Sequence, residues 1–216
     1  MRTALLAGAT GLVGGHLLAL LLEDGTWDRV VSIGRREVDV RHDRLEQVVA
    51  QLPDVPALPA IDDAFCALGT TIKQAGSRDA FRAVDHDAVV ALATGGQQAG
   101  ARSFLHVTAM GANARSRIFY NRVKGETEAA VAGLGYASVA IARPSLLLGD
   151  REALGQPVRR LEALAMRFSR PLSLLVPRAV RPIAAVDVAA ALVAAAARGE
   201  PGVRILASGE MQGAAG

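Results

Sequence analysis

The sequence predicts a doubly wound α/β fold, a parallel sheet with helices on both faces and a small C-terminal helical cap. Three observations predict it. Short β-rich apolar runs alternate with longer helical stretches along most of the chain. The first apolar run leads straight into a glycine loop that opens a helix. Half of the 216 residues are hydrophobic and 21% are charged, the balance of a chain with a sizeable core.

The strands are expected at Thr3–Ala7, Val30–Ile33, Leu45–Val49, Ala64–Leu68, Phe104–Thr108, Ser138–Ala142 and Val203–Ala207. Their continuous apolar character suits strands buried on both faces. Helices are expected over Leu12–Glu23, Ser77–Gln98 with a break, Ser116–Ala132, Pro157–Phe168 and Val186–Arg198. The Leu12–Glu23 helix reads as too apolar all round to face water much. Only eleven residues, Gly34–Arg44, separate the second strand from the third, short for a parallel crossover, so an irregular connection is expected there. Residues Gln51–Ala60 hold three prolines and read as a loop. The whole chain, 1–216, reads as one domain, with residues 152–183 as a small substrate-side cap.

Composition narrows the partners. The longest apolar runs, Leu17–Leu22 and Val188–Ala197, fall short of the roughly 18–20 residues that span a bilayer, so no membrane partner is expected. Net charge is +3, without a basic run, and aromatics are 4%, so no nucleic-acid partner is expected either. Of the 24 basic residues only Lys73 and Lys124 are lysines. A lone cysteine, Cys66, makes no internal disulfide, and a reducing, cytoplasmic setting is expected. The four histidines have no metal-ligand spacing, so no metal is expected.

The loop Gly8-Ala9-Thr10-Gly11-Leu12-Val13-Gly14 carries the pattern GxxGxxG between strand and helix. Gly8 permits the tight turn, Gly11 lets a pyrophosphate approach the backbone, and Gly14 lets the helix pack on the sheet. Backbone N–H groups from Thr10 to Val13 would then face the phosphates, aided by the helix dipole. After the second strand come Gly34-Arg35-Arg36, with no acid at the strand end. Two guanidiniums in place of the carboxylate that binds ribose hydroxyls favour NADP over NAD, because they pair with a 2′-phosphate.

Tyr120 and Lys124 stand four apart in a predicted helix, on one face. With two tyrosines and two lysines in the chain, chance rarely makes this spacing. An ammonium beside a phenol favours the phenolate and readies the hydroxyl to give or take a proton. Cys66 and His106, inside apolar strands, read as packed and inert. Asp62 and Asp63 read as strand-entry residues, Trp27 as a packing residue, and the arginines between Arg159 and Arg181 as a solvated helix face.

These residues resemble the short-chain dehydrogenase/reductase superfamily of the extended or atypical kind, with its Rossmann fold. The closest likeness is to the small Tat-interacting oxidoreductase-like group and its bacterial epimerase-like relatives. The motifs that carry it are Ala7–Gly14, Ile33–Arg36, Phe65–Thr71, Phe119–Glu126 and Arg143–Gly149, spanning about residues 4–150. The resemblance implies Tyr120 as general acid/base with Lys124 as its partner. It implies Leu68, Gly69 and Thr70 against the cofactor ribose, and Pro144 and Ser145 beside the nicotinamide. The family places a catalytic serine at the end of the fifth strand, where this chain has Thr108 and then Ala109. Thr108 is the candidate hydroxyl; if the required position is Ala109, the catalytic set is incomplete.

The expected function is NADP(H)-dependent hydride transfer to or from a small carbonyl or alcohol substrate. The alternatives are a non-catalytic NADPH-binding regulatory module and a sugar-nucleotide epimerase. The second has little room for its substrate in 216 residues. Assembly as a homodimer is left open.

Overall fold

The computed structural model describes residues 1–148 and 177–216. Seven parallel strands form one sheet: β1 (Thr3–Ala7), β2 (Arg29–Gly34), β3 (Leu45–Val49), β4 (Asp63–Cys66), β5 (Ser103–Val107), β6 (Ser138–Arg143) and β9 (Gly202–Ala207). Their spatial order is β3-β2-β1-β4-β5-β6-β9. A separate two-stranded parallel ribbon pairs β7 (Leu147–Leu148) with β8 (Ile183–Ala184). All seven expected sheet strands are present, with ends shifted by no more than two residues. The order reverses between β1 and β4, and a crevice opens there at the carboxyl ends of the strands.

Alternation along β1 divides the core. Ala4 and Leu6 face one layer, with α1 (Leu12–Glu23) and α6 (Ala185–Arg198). Leu5 and Ala7 face the other, with α4 (Ala88–Gln98) and Val131 of α5 (Phe119–Ala132). Both faces of the central strands β1, β4, β5 and β6 are therefore buried, whereas the edge strands β3 and β9 are partly or largely exposed. Helix α1 does present a stripe to water, His16, Ala19 and Glu23, at helical spacing. The rest of the helix is buried or half-buried, so little of it faces water, as its apolar composition predicts.

The short crossover from β2 to β3 contains no helix. It is held by side chains instead. Gln47 on β3 accepts from the Val38 N–H at 2.7 Å and donates to the Val38 carbonyl at 3.2 Å. The Arg44 guanidinium binds the carbonyls of Leu22, Asp24 and Trp27 at the end of α1. Fixed polar contacts thus replace the packed helix that usually covers such a crossover.

The long helix expected over Ser77–Gln98 is broken. Two short helices, α2 (Ile72–Ala75) and α3 (Arg78–Arg82), are capped by Thr71 and Ser77, whose hydroxyls accept from Gln74 and Ala80 N–H groups. A turn of π-helix, Ala83–Asp87, then joins α3 to α4. Helix α5 begins at Phe119, three residues later than expected. The helix expected over Pro157–Phe168, the arginines from Arg159 to Arg170 and the cap over 152–176 lie outside the described residues. The described end of that region is a 3₁₀ turn, Arg178–Val180, followed by β8; a last short helix, α7, spans Ser208–Met211.

At the opposite end of the sheet, Asp63 accepts from Arg2 at 2.7 Å and from the Trp27 indole at 2.9 Å. Asp62 accepts from the Thr3 N–H at 2.7 Å. The two acids are structural, far from the crevice, and Trp27 is fully buried edge-on against Phe65.

Candidate active site

The glycine loop leaves β1 into the crevice. Gly8 has φ +89°, a left-handed conformation, and a Cβ there would lie 2.6 Å from the backbone of Ala67. A Cβ on Gly14 would lie 1.9 Å from the Gly8 carbonyl oxygen. Both glycines are therefore demanded by the protein's own backbone. Gly11 differs: its nearest neighbour would be the Gly8 oxygen at 3.2 Å, and its other side is open. Gly11 is also the N-cap of α1, with no capping side chain and no acid in the first turn. The first N–H groups of α1 and the positive end of its dipole thus face the crevice uncompensated, an arrangement that suits an anion. Thr10 is exposed beside them, Leu12 half-buried and Val13 buried. These features fit a dinucleotide diphosphate.

Arg35 and Arg36 follow β2 and are exposed. Among the described residues neither guanidinium makes an ion pair or side-chain hydrogen bond, so both are free to meet a ligand.

Across the crevice, the turn after β4 carries Leu68, Gly69 and Thr70. It meets the glycine loop at Ala67 and helix α5 at Gly69, whose Cβ position is 3.5 Å from both Lys124 Nζ and Asp85 Oδ1. Lys124 is buried, its Nζ 2.8 Å from Asp85 Oδ1. The two groups form a buried ion pair. Asp85 Oδ2 accepts squarely from the Thr70 N–H at 2.9 Å. Burial raises the Asp85 pKa, and the Lys124 charge opposes that rise. Tyr120 lies one turn before Lys124 on α5, half-buried, its ring 5.3 Å from that of Phe81 on α3.

The structure therefore brings Gly8, Gly11, Gly14, Leu68, Gly69, Thr70 and Lys124 to one crevice, with Tyr120 on the helix that lines it. It takes the Thr108 hydroxyl elsewhere. Thr108 is buried, its hydroxyl 2.6 Å from Glu128 Oε1 and 3.2 Å from the Ala142 carbonyl, both acceptors for its one proton. Glu128 is also gripped by Arg143 through two nitrogens. Ala109, the next residue, has no hydroxyl to offer. Pro144 accepts from the Met110 N–H at 2.9 Å. Ser145 donates to the Arg181 carbonyl and accepts from the Ser208 hydroxyl at 2.9 Å. Its hydroxyl is thus engaged between the segment before β8 and the start of α7.

Asp85, Glu128 and Arg143 are the site-wall residues that sequence reading missed. A signal existed for Asp85, one of two acids, with Asp87, where a π-turn interrupts the expected helix. For Glu128 the spacing misleads: it stands four after Lys124, the usual distance for a helical ion pair. The fold pairs Lys124 with Asp85 and Glu128 with Arg143 instead.

Cys66 and His106 sit side by side in register on β4 and β5, behind Lys124. Burial pushes the Cys66 thiol up to about 12 and the His106 imidazole down to about 3. Both are neutral near pH 7, and among the described residues neither His106 ring nitrogen has a hydrogen-bond partner.

Known proteins resemble this chain in sequence and in fold. Residues 4–118 match the NAD dependent epimerase/dehydratase family. The mitochondrial protein FMP52 of Eremothecium gossypii is 36% identical over 154 residues, covering 69% of this chain and 68% of its own. The rat protein HTATIP2 is 33% identical over 174 residues, covering 77% and 70%. Among solved structures, MoeE5 in complex with UDP-glucuronic acid and NAD superposes with a TM-score of 0.71 at 18% identity, covering 95% of this chain and 75% of that one. A short chain dehydrogenase family protein from Francisella tularensis gives 0.70 at 13%, covering 97% and 98%.

The relatives correct one expectation. Several are named as mitochondrial proteins, so the cytoplasmic setting inferred from the lone cysteine does not stand. The physical reason is plain: a buried neutral thiol is inert and carries no record of its compartment. By its matched residues, its relatives and its fold, the chain belongs to the NAD dependent epimerase/dehydratase family.

Proposed function

We propose that the chain is an NADP(H)-dependent oxidoreductase acting on a small carbonyl or alcohol substrate. The observation that carries this reading is the convergence of the glycine loop, the Gly69–Thr70 turn and Lys124 on one crevice, with Tyr120 one helical turn away. The glycine loop and the first turn of α1 would hold the diphosphate, and Arg35 and Arg36 the 2′-phosphate. Leu68, Gly69 and Thr70 would border the ribose, with Lys124 reaching its hydroxyls. Pro144 would bound the nicotinamide side through backbone shape. When bound, the cofactor supplies the hydride chemistry. Tyr120 would hold or release the proton on the substrate oxygen, with Lys124 one turn further along the same helix. Thr108 would act through Glu128 as part of the site's wall.

The test begins with NADPH and NADH titrations followed by nicotinamide fluorescence. NADPH should bind tighter, and Arg35→Ala/Arg36→Ala should erase the preference; equal affinity of the intact chain for NADH overturns the NADP assignment. A panel of aldehydes and ketones follows, with Tyr120→Phe expected to lose at least about 100-fold in turnover.

A second reading, a nucleotide-binding module without turnover, is favoured by Ala109 and by the engaged Thr108 hydroxyl. Tight NADPH binding with no turnover on the panel would select it. UDP-sugars belong on the same panel because MoeE5 is complexed with them. Their interconversion without net cofactor oxidation would select the epimerase reading.

A further inference from the structure

The loop from β5 to α5 runs from Met110, whose N–H donates to the Pro144 carbonyl at 2.9 Å, to the first turn of α5, which carries Tyr120. On the proposed reading a substrate lies between Pro144 and Tyr120, and so along this loop. The loop is a folded turn. The Asn113 N–H donates to the Asn121 carbonyl at 2.9 Å, the Asn113 side chain accepts from the Arg115 N–H at 2.8 Å, and the Ser116 hydroxyl accepts from the Ile118 N–H at 3.1 Å. So pinned, it presents Met110 and Ile118, 47% and 63% exposed, with the exposed Arg115 and Arg117, and it holds no acid. Helix α3 packs beside it. Phe81 of α3 meets the rings of Phe119 and Tyr120, with centroids 6.0 and 5.3 Å apart. The Phe119 ring carries two guanidiniums, Arg78 of α3 at 5.1 Å and Arg122 of α5 at 5.7 Å. Arg122 is committed elsewhere too: it donates to the Ser116 carbonyl at 3.2 Å and lies 3.8 Å from Glu126, which also holds Arg82 at 2.5 Å. Arg78, Arg115 and Arg117 differ, because among the described residues their guanidiniums make no ion pair and no hydrogen bond. Residues 71–82 and 110–122 together hold six cations, Lys73 among them, against one acid, Asp79, in a chain of net charge +3.

We propose that this rim sets the substrate class: Arg78, with Arg115 and Arg117 of the loop, binds a single oxyanion, a carboxylate or a phosphate monoester, carried by the carbonyl or alcohol substrate, whose apolar body lies against Met110 and Ile118. The inference rests on the reading of the crevice as a hydride-transfer site. A guanidinium stacked on an aromatic ring is already oriented, so it loses little freedom when its N–H edge meets an oxyanion through two parallel hydrogen bonds. Like charges gathered without counter-charges repel one another, and an anion bound among them relieves that repulsion. A broad anionic surface is the poorer fit, because the cations gather at the crevice mouth and Arg78 is held by the residue that precedes Tyr120.

The test separates binding from turnover. Benzoate and phenyl phosphate are titrated into the full chain by calorimetry, with benzamide as the neutral control. At least one of the anions should bind, benzamide should not, and Arg78→Met/Arg117→Met, which keeps the apolar stems, should weaken the anion about tenfold or more. Which anion binds distinguishes a carboxylate from a phosphate. Binding of neither, or equal binding to the intact chain and the variant, overturns the proposal. Turnover is then followed with 4-carboxybenzaldehyde, 4-formylphenyl phosphate and the uncharged methyl 4-formylbenzoate. Each is reduced to its alcohol by hydride from NADPH and one proton from solvent, releasing NADP⁺. The kcat/KM of the matching anionic aldehyde should exceed that of the ester about tenfold or more, and the ratio should collapse in the variant. Equal turnover of ester and anions overturns the proposal and leaves the hydride-transfer reading standing. Anion binding through Arg78 and Arg117 without turnover of any aldehyde supports the rim site and sinks the hydride-transfer reading instead. Cosedimentation with phosphatidylglycerol vesicles that the variant loses, without binding of benzoate or phenyl phosphate, overturns the proposal in favour of an anionic surface.

Discussion

The two walls of the crevice are built on different principles. On the β1–α1 side the constraint is steric and local: Gly8 and Gly14 are glycines because backbone atoms already occupy the space of a side chain. On the α4–α5 side the constraint is electrostatic and non-local: Asp85 meets Lys124, and Glu128 meets Arg143, between elements distant in sequence or through a strand end. A steric rule leaves a fixed mark in the sequence, because only one residue type satisfies it. A charge rule does not, because any acid brought near any base will do. The first wall can thus be recognised from seven residues, and the second only after the chain has folded.

The largest expected effect would break the first wall. Gly14→Ala places a methyl 1.9 Å from a carbonyl oxygen with no flexible side chain to yield, and should cost about 3 kcal/mol or more, read as a thermal-unfolding shift. Gly11→Ala sharpens the contrast. Its Cβ meets the Gly8 oxygen at 3.2 Å and the Ala67 oxygen at 4.0 Å, so stability should change by no more than about 1 kcal/mol while NADPH affinity falls about tenfold or more. A Gly11→Ala chain that binds NADPH normally would show that the open face of Gly11 is not a phosphate cradle.

On the second wall, His106 gives the next effect. Its imidazole falls from the ordinary 6.5 to about 3 on folding, so below pH 6.5 the unfolded chain binds a proton that the folded chain refuses. Stability from this group is complete above pH 6.5 and drains as pH falls toward 3, at up to about 1.4 kcal/mol per pH unit. His106→Leu should remove that slope, leaving the variant about 2 kcal/mol less acid-sensitive between pH 6.5 and 5 in urea midpoints. An unchanged slope would place the acid sensitivity elsewhere.

Glu128→Gln should cost about 1–2 kcal/mol, measured the same way. It breaks the pair with Arg143, which is partly exposed and therefore partly screened, and it keeps an acceptor for Thr108. The smallest effect is on Cys66, whose thiol should react with an aromatic disulfide only after unfolding. Rapid reaction of the native chain would contradict its burial behind Lys124.

Particular residues mark where the sequence was legible. The strand β1 and helix α1 have the boundaries read from apolar pattern and glycines, because both signals are local. The β2–β3 connection was legible only as an anomaly, since Gln47 and Arg44 hold it through contacts that no periodicity announces. The Tyr120–Lys124 spacing was legible, but the partner of Lys124 was not. Thr108 was legible as a hydroxyl at the right strand end, yet its direction was set by Glu128 on a neighbouring helix.

By itself, then, the amino-acid order determined the alternation of strand and helix, the glycine turn and the family. These follow from backbone sterics and apolar periodicity, which act over a few residues. The folded chain alone decided which acid faces which base, which hydroxyl is spent inside the wall, and where a π-turn aims Asp85. Those outcomes depend on distances between elements, and a buried charge is fixed by whatever opposite charge the packing brings within reach.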